Sequence, residues 1–216
     1  MNCIVTAGPT FEPLDEARRL TNFSTGRLGS ELAGYLSSRG HRVTLLIGRQ
    51  ATWGGEQRAS RVETFTTTAD LSDRLRALAG QPADAVFHAA AVSDFAFGKV
   101  WARLPDGRLT EIQSGKIPTA RGSLLAELIP TPKIVASLRE WFPTARLFGW
   151  KYEVDGDRDR VIELAQQQLA ECRTDGCVAN GPAYGDGFGL VTADGRQVHL
   201  ADAPALFELL EKLIRT

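Results

Sequence analysis

Cysteine is scarce: Cys3, Cys172 and Cys177 are the only three in 216 residues. They form no C-x-x-C pair and are odd in number, which excludes a disulfide framework and a cysteine zinc site and points to a reducing compartment. The histidines, His41, His88 and His199, are too scattered for metal-ligand spacing and receive no role. Charge of one sign is not in excess either. Lys and Arg number 25 against 26 Asp and Glu, so no global positive field exists to hold nucleic acid or an anionic membrane. Any anion must be held locally. No apolar run is long enough to cross a bilayer, and the first eight residues lack the basic and apolar regions of a leader, so a cytoplasmic enzyme or binding protein is expected. Also missing are a P-loop and a G-x-G-x-x-G fingerprint directly after the first apolar run. What is present is a core-forming composition, 43% hydrophobic and 24% charged, which excludes a disordered or collagen-like chain. A single domain over residues 1–216 is expected.

Apolar runs of strand length alternate with amphipathic stretches of helix length, the pattern of an α/β fold with a mainly parallel sheet. Strands are expected at residues 4–7, 43–47, 62–66, 85–87, 146–152 and 177–179. Expected helices bury Leu28, Leu32, Ala33 and Leu36, then Leu71, Leu75 and Leu78, then Ile134, Val135, Leu138 and Trp141 after an opening Pro132. Two more bury Val161, Ile162, Ala165 and Leu169, and Leu206, Leu209, Leu210 and Leu213. Gly40 is placed as the left-handed residue ending the first helix. Residues 190–192 and 197–200, joined through Asp194-Gly195, should form a terminal hairpin. Across residues 94–123 the periodicity fails, apart from a turn at Pro105-Asp106-Gly107, and a long irregular loop is expected.

In an open parallel sheet, ligands bind beyond the carboxyl ends of the strands. Four clusters lie there: Gly8-Pro9-Thr10 with the loop to Gly29, then residues 89–94, 149–153 and 179–181. In the first, Asn22-Phe23-Ser24-Thr25-Gly26-Arg27-Leu28-Gly29 sets a hydroxyl pair and two glycines where a delayed helix begins. Unpaired N–H groups and the positive end of the helix dipole would meet a phosphate there. The alternative is a helix cap by Ser24 or Thr25 with no ligand. Asn22 could orient a ligand or bond the loop backbone, Asp94 could bind a polar group or begin a turn, and Lys116 could neutralise an anion or stay solvated.

Specific blocks then resemble a known family. Ile4-Val5-Thr6-Ala7-Gly8-Pro9-Thr10, Glu12-Pro13-Leu14-Asp15, Arg18 and the run from Thr21 to Gly29 look like the opening of phosphopantothenate–cysteine ligase. Ala90-Ala91-Val92-Ser93-Asp94, Lys116-Ile117, Thr131-Pro132-Lys133-Ile134, Gly149-Trp150-Lys151 and Val178-Ala179-Asn180 follow in the family's order, closest to its stand-alone form. The fold expected is Rossmann-like and three-layered, a mainly parallel sheet with helices on both faces and a C-terminal β-hairpin. The resemblance implies activation of 4′-phosphopantothenate by ATP or CTP to an acyl-nucleotide, then capture by the amine of cysteine, with Mg2+ accompanying the nucleotide. By the same resemblance, Gly8, Ser24, Gly26 and Gly29 cradle the nucleotide phosphates, and Trp150 and Asn180 contact the nucleotide further out. Asn22, Ala90, Ala91 and Asp94 hold phosphopantothenate, and Lys116 steadies the activated carboxyl group. Arg18 reaches the substrate phosphate of a neighbouring subunit, which implies a homodimer. No metal ligands are assigned.

This chain departs from the family pattern at several places. Phe11 stands where an arginine is common, Trp150 replaces a phenylalanine, and Pro118 and Thr119 replace lysines. Gln167, Gln168, Glu171 and Cys172 occupy a helix where family members often carry lysines facing the triphosphate. A non-catalytic nucleotide-binding paralogue is one rival reading. Another is an NADP-dependent reductase of the short-chain type, but Tyr35, Tyr152 and Tyr184 are followed four residues later by Arg39, Gly156 and Phe188, never the required lysine.

Overall fold

Residues 1–118 and 122–215 are described by a computed structural model; Thr119, one of the departures above, lies outside them. The first strand, β1 (Asn2–Ala7), alternates its side chains, with Cys3, Val5 and Ala7 entering one apolar layer and Ile4 the other. A small antiparallel hairpin of β2 (Phe11–Pro13) and β3 (Arg19–Thr21) follows, which the sequence reading treats as loop. Helix α1 (Arg27–Ser38) buries Leu32, Ala33 and Leu36, and Gly40 adopts φ 84° just beyond its end, as its expected C-terminal role requires.

Strands β4 (Arg42–Gly48) and β5 (Arg61–Phe65) precede α2 (Thr68–Leu78), and β6 (Ala85–His88) comes next. The segment expected to be an irregular loop instead forms a separate antiparallel sheet of β7 (Phe95–Arg103), β8 (Leu109–Glu111) and β9 (Leu124–Pro130), in the order β8-β7-β9. Its periodicity is hidden because β9 packs neither face on the core: six of its seven residues are exposed. The Pro105-Asp106-Gly107 turn does connect β7 to β8.

Then come α3 (Ile134–Trp141), beginning two residues after Pro132, β10 (Arg146–Tyr152), α4 (Arg158–Cys172) and β11 (Gly176–Asn180). The predicted terminal hairpin is β12 (Phe188–Thr192) with β13 (Gln197–Leu200), and α5 (Ala203–Arg215) closes the chain.

One eight-stranded sheet runs β13-β12-β11-β10-β6-β1-β4-β5. Its six strands from β5 to β11 are parallel, and β12 and β13 are antiparallel. Helices α1 and α5 bury Leu36, Leu206 and Leu210 with Val5, Phe87 and Phe148 on one face. On the other, α2 and α3 share a core with Ile4, Val86 and Leu147, and α4 packs beside them over Cys177 and Val191. Numbered along the chain, the parallel strands have the order 3-2-1-4-5-6, so the doubly wound fold reverses direction between β1 and β6.

Candidate active site

At the reversal point, the ends of β1 and β6 continue as a bonded pair. Ala89 N–H donates to the Thr6 carbonyl at 3.2 Å, Ala91 N–H to the Gly8 carbonyl at 3.0 Å, and Thr10 N–H to the Ala91 carbonyl at 3.1 Å. Beyond them opens a crevice of about 1200 Å³, whose lining includes Gly8, Asn22, Ser24, Gly26, Gly29, Ala90, Ala91, Asp94, Trp150 and Asn180. These ten come from four separate strand ends and the α1 entry, and the fold brings them to one place.

Neither Ser24 nor Thr25 is the N-cap residue of α1, although Thr25 Oγ1 accepts from Arg27 N–H at 3.3 Å. Gly26 occupies the N-cap position at φ 81° and gives no side-chain cap bond. Gly29 is required for a different reason: a Cβ there would lie 2.7 Å from the Ala7 Cβ and 3.0 Å from the Thr6 carbonyl oxygen, so α1 can start close against β1 only with glycine. Helix α3 enters through Lys133 with no side-chain cap bond, and both N-cap residues line the crevice. By contrast, α2 is capped by Thr67, α4 by Asp157, and Asp202 Oδ1 accepts from Ala205 N–H at the start of α5. At the α1 and α3 entries the N-cap residues themselves give no side-chain cap bond; apart from Arg27 N–H, which Thr25 holds, the first-turn N–H groups and the helix dipoles suit an anion.

Asn22 Nδ2 donates to the Ala91 carbonyl at 3.0 Å while its side chain stays exposed at the crevice. Trp150 sits opposite Val178 in the β10–β11 register, so Asn180, two residues on, shares its face of the sheet. Trp150 Nε1 and Asn180 Oδ1 are buried and lack a partner among the described residues. They leave one donor and one acceptor for a ligand to satisfy.

Arg18 and Lys116 do not line this crevice. Arg18 Nη2 donates to the Ile117 carbonyl at 3.2 Å, and Asp15 Oδ2 accepts from Ile117 N–H at 3.1 Å while pairing with Arg18 at 3.3 Å. Asp15 therefore staples the β2–β3 tip to the Lys116 segment. Desolvation is outweighed by the Ile117, Ala17 and Arg18 backbone N–H groups that donate to Asp15 and by the Arg18 charge, which hold its carboxyl below the usual carboxylate range.

His88, passed over in the sequence, lies in the wall directly before Ala89-Ala90-Ala91. That adjacency was the available signal. Its Nδ1 is hydrogen-bonded to Thr6 Oγ1 at 2.9 Å, and the same hydroxyl oxygen accepts from Ala90 N–H at 3.1 Å. Burial disfavours the imidazolium and depresses the His88 pKa to about 4. Below pH ~6.5 the unfolded chain takes up a proton that the folded one refuses until about pH 4, so folding stability falls across that window by roughly 3 kcal/mol. Urea unfolding measured between those limits should show the loss in the wild type and a flatter profile in His88→Asn.

The three thiols are free and buried, and burial raises those of Cys3 and Cys177 to about 12, so they are poor nucleophiles. Cys172 does line the crevice, with Gln167, Gln168 and Glu171 of the same helix. Among the described residues no group of three acidic, histidine or cysteine side chains could hold a metal ion, and no helix is long and apolar enough to cross a membrane.

The sequence profile of the DNA/pantothenate metabolism flavoprotein C-terminal domain matches residues 1–212. The coenzyme A biosynthesis bifunctional protein CoaBC of Thermococcus kodakarensis is 33% identical over 177 residues, covering 82% of this chain and 40% of that protein. The corresponding Bacillus subtilis protein is 28% identical over 97% of this chain and 50% of its own length, so the chain spans half or less of these curated relatives. Among solved structures, a DNA/pantothenate metabolism flavoprotein from Streptococcus pneumoniae superposes with a TM-score of 0.84 at 26% identity, covering 100% of this chain and 98% of the other. A Cab2 variant in complex with phosphopantothenate-cysteine shares the fold, with a TM-score of 0.73 at 20% identity over 99% of this chain and 85% of that one. With its profile matched nearly end to end, the chain belongs to the DNA/pantothenate metabolism flavoprotein C-terminal domain family.

Proposed function

We propose that this protein is a cytoplasmic phosphopantothenate–cysteine ligase of coenzyme A biosynthesis. The carboxylate of 4′-phosphopantothenate attacks the α-phosphorus of ATP or CTP and expels pyrophosphate; the cysteine amine then attacks the acyl carbon, expels the nucleoside monophosphate and loses a proton. The observation that carries this reading is the convergence of two helix N-termini, entered through Gly26 and Lys133, on one crevice at the reversal point of the sheet, in a chain whose relatives are named for coenzyme A biosynthesis. A carboxylate is a poor electrophile, and bringing it beside a polyphosphate needs donors fixed in advance. Backbone N–H groups of the α1 and α3 entries supply them for the phosphates. Ala90 and Ala91 let phosphopantothenate approach the backbone, Asn22 and Asp94 orient its reacting end, and Trp150 and Asn180 engage the nucleotide.

Bound Mg2+ would lower the charge of the polyphosphate. The crevice fits a cation that enters on the nucleotide, since Glu31 is paired with Arg27 at 2.7 Å and Glu171 accepts from Gln167 at 2.7 Å, leaving Asp94 as its open carboxylate.

Arg18 and Lys116, stapled together outside the crevice, are assigned to the crevice of a second copy in a homodimer. The exposed Phe95, Leu109, Leu124, Leu128 and Ile129 of the β8-β7-β9 sheet give that copy an apolar face to cover. Incubation with phosphopantothenate, cysteine, Mg2+ and each nucleoside triphosphate should release pyrophosphate and nucleoside monophosphate. Nucleotide binding without either product would instead favour the non-catalytic paralogue.

A further inference from the structure

The anion-binding wall of the crevice is short of free cations. Its helix α4 presents Gln167, Gln168, Glu171 and Cys172 and no lysine. Gln168 is also committed, its amide lying 3.4 Å from the Trp150 carbonyl and 3.3 Å from Cys177 Sγ. Of the three basic side chains in the lining, Arg27 is paired with Glu31 at 2.7 Å and Lys151 with Glu153 at 2.9 Å. Lys133 is the third, and among the described residues no carboxylate pairs with it. It stands at the uncapped entry of α3, and its charge is felt at Cys172, on the opposing α4 wall.

We propose that Lys133 contacts the polyphosphate of the nucleotide and supplies from α3 the positive charge that α4 lacks. This assignment rests on the ligase reading for its choice of ligand. An ammonium and the adjacent N–H groups of α3 address the same anion from one point, so a crevice whose α4 wall carries no lysine still has a cation for the anion. Helices α3 and α4 are in direct contact, so the Lys133 charge lies across the same gap from the α4 wall.

Binding of ATP and of CTP, each with Mg2+, should be measured calorimetrically in the absence of the other substrates, alongside steady-state pyrophosphate release. Lys133→Ala is expected to weaken nucleotide binding and raise its KM by about 10- to 100-fold, with the phosphopantothenate KM unchanged, as removal of one charged hydrogen bond predicts. Lys133→Arg should recover most of this affinity, and adding Gln168→Lys to the alanine variant should recover part of it by returning a cation to α4. An unchanged nucleotide affinity in Lys133→Ala would overturn the assignment while wild-type turnover left the ligase reading intact. Conversely, a wild type that binds nucleotide through Lys133 but releases no pyrophosphate would refute the ligase reading and keep Lys133 in the nucleotide site.

Discussion

Asn22→Asp is expected to lower ligase turnover by about 10²- to 10³-fold while leaving thermal unfolding nearly unchanged. The native amide donates to the Ala91 carbonyl at 3.0 Å, so the aspartate loses its donor and turns a carboxylate oxygen toward a carbonyl oxygen. It also places a negative charge where an anionic adduct must form. Two unit charges 4 Å apart at an effective dielectric of 20 repel by about 4 kcal/mol, which exceeds the worth of the neutral hydrogen bond. Asn22→Ala removes the donor without adding charge and should cost only about tenfold. Because Asn22 is exposed, neither change opens a core cavity. Equal turnover in the aspartate and alanine variants would show that no anion approaches this position, and wild-type turnover in both would remove Asn22 from the site.

The core and most of the crevice could be read from the sequence because both depend on local order. A strand buried on both faces reads as a continuous apolar run, as Leu45, Leu46 and Ile47 do, and the ligand side of such a sheet is the residue after each run. The β8-β7-β9 sheet escaped because burial writes the alternation of a strand, and Leu124, Leu128 and Ile129 are exposed in this chain. The cap reading of Ser24 or Thr25, one of two left open, is met only in part for a conformational reason: this turn needs a positive φ, so Gly26 takes the N-cap position and Thr25 Oγ1 accepts from Arg27 N–H. His88 receives no role in the sequence because the three histidines lack metal-ligand spacing, and only its place directly before Ala89-Ala90-Ala91 marks it for the crevice wall. The position of Lys116 depends on Asp15, about a hundred residues earlier, and no periodicity encodes that staple.

Mixing two inactive variants should restore activity. In Lys116→Ala the crevice retains Asn22, and in Asn22→Asp the stapled segment retains Lys116. If that segment serves the crevice of a second copy, a mixed dimer pairs an intact crevice with an intact Lys116 at one of its two sites and carries both lesions at the other. Random re-association makes about half of the dimers mixed, so about a quarter of the wild-type sites should return from a background near zero. Were Lys116 to act on its own chain's crevice, every site in a mixed dimer would carry one lesion and no activity would appear. The geometry favours exchange, because Asp15 and Arg18 hold Ile117, the neighbour of Lys116, at the β2–β3 tip, and Lys116 does not line the crevice. A double variant carrying both lesions on one chain, mixed with wild type, is the control: under exchange each site of the mixed dimer carries one lesion and is inactive, whereas action within one chain leaves one site working. The two mixtures therefore respond in opposite directions, and protein concentration should matter in both because the sites are completed only on association.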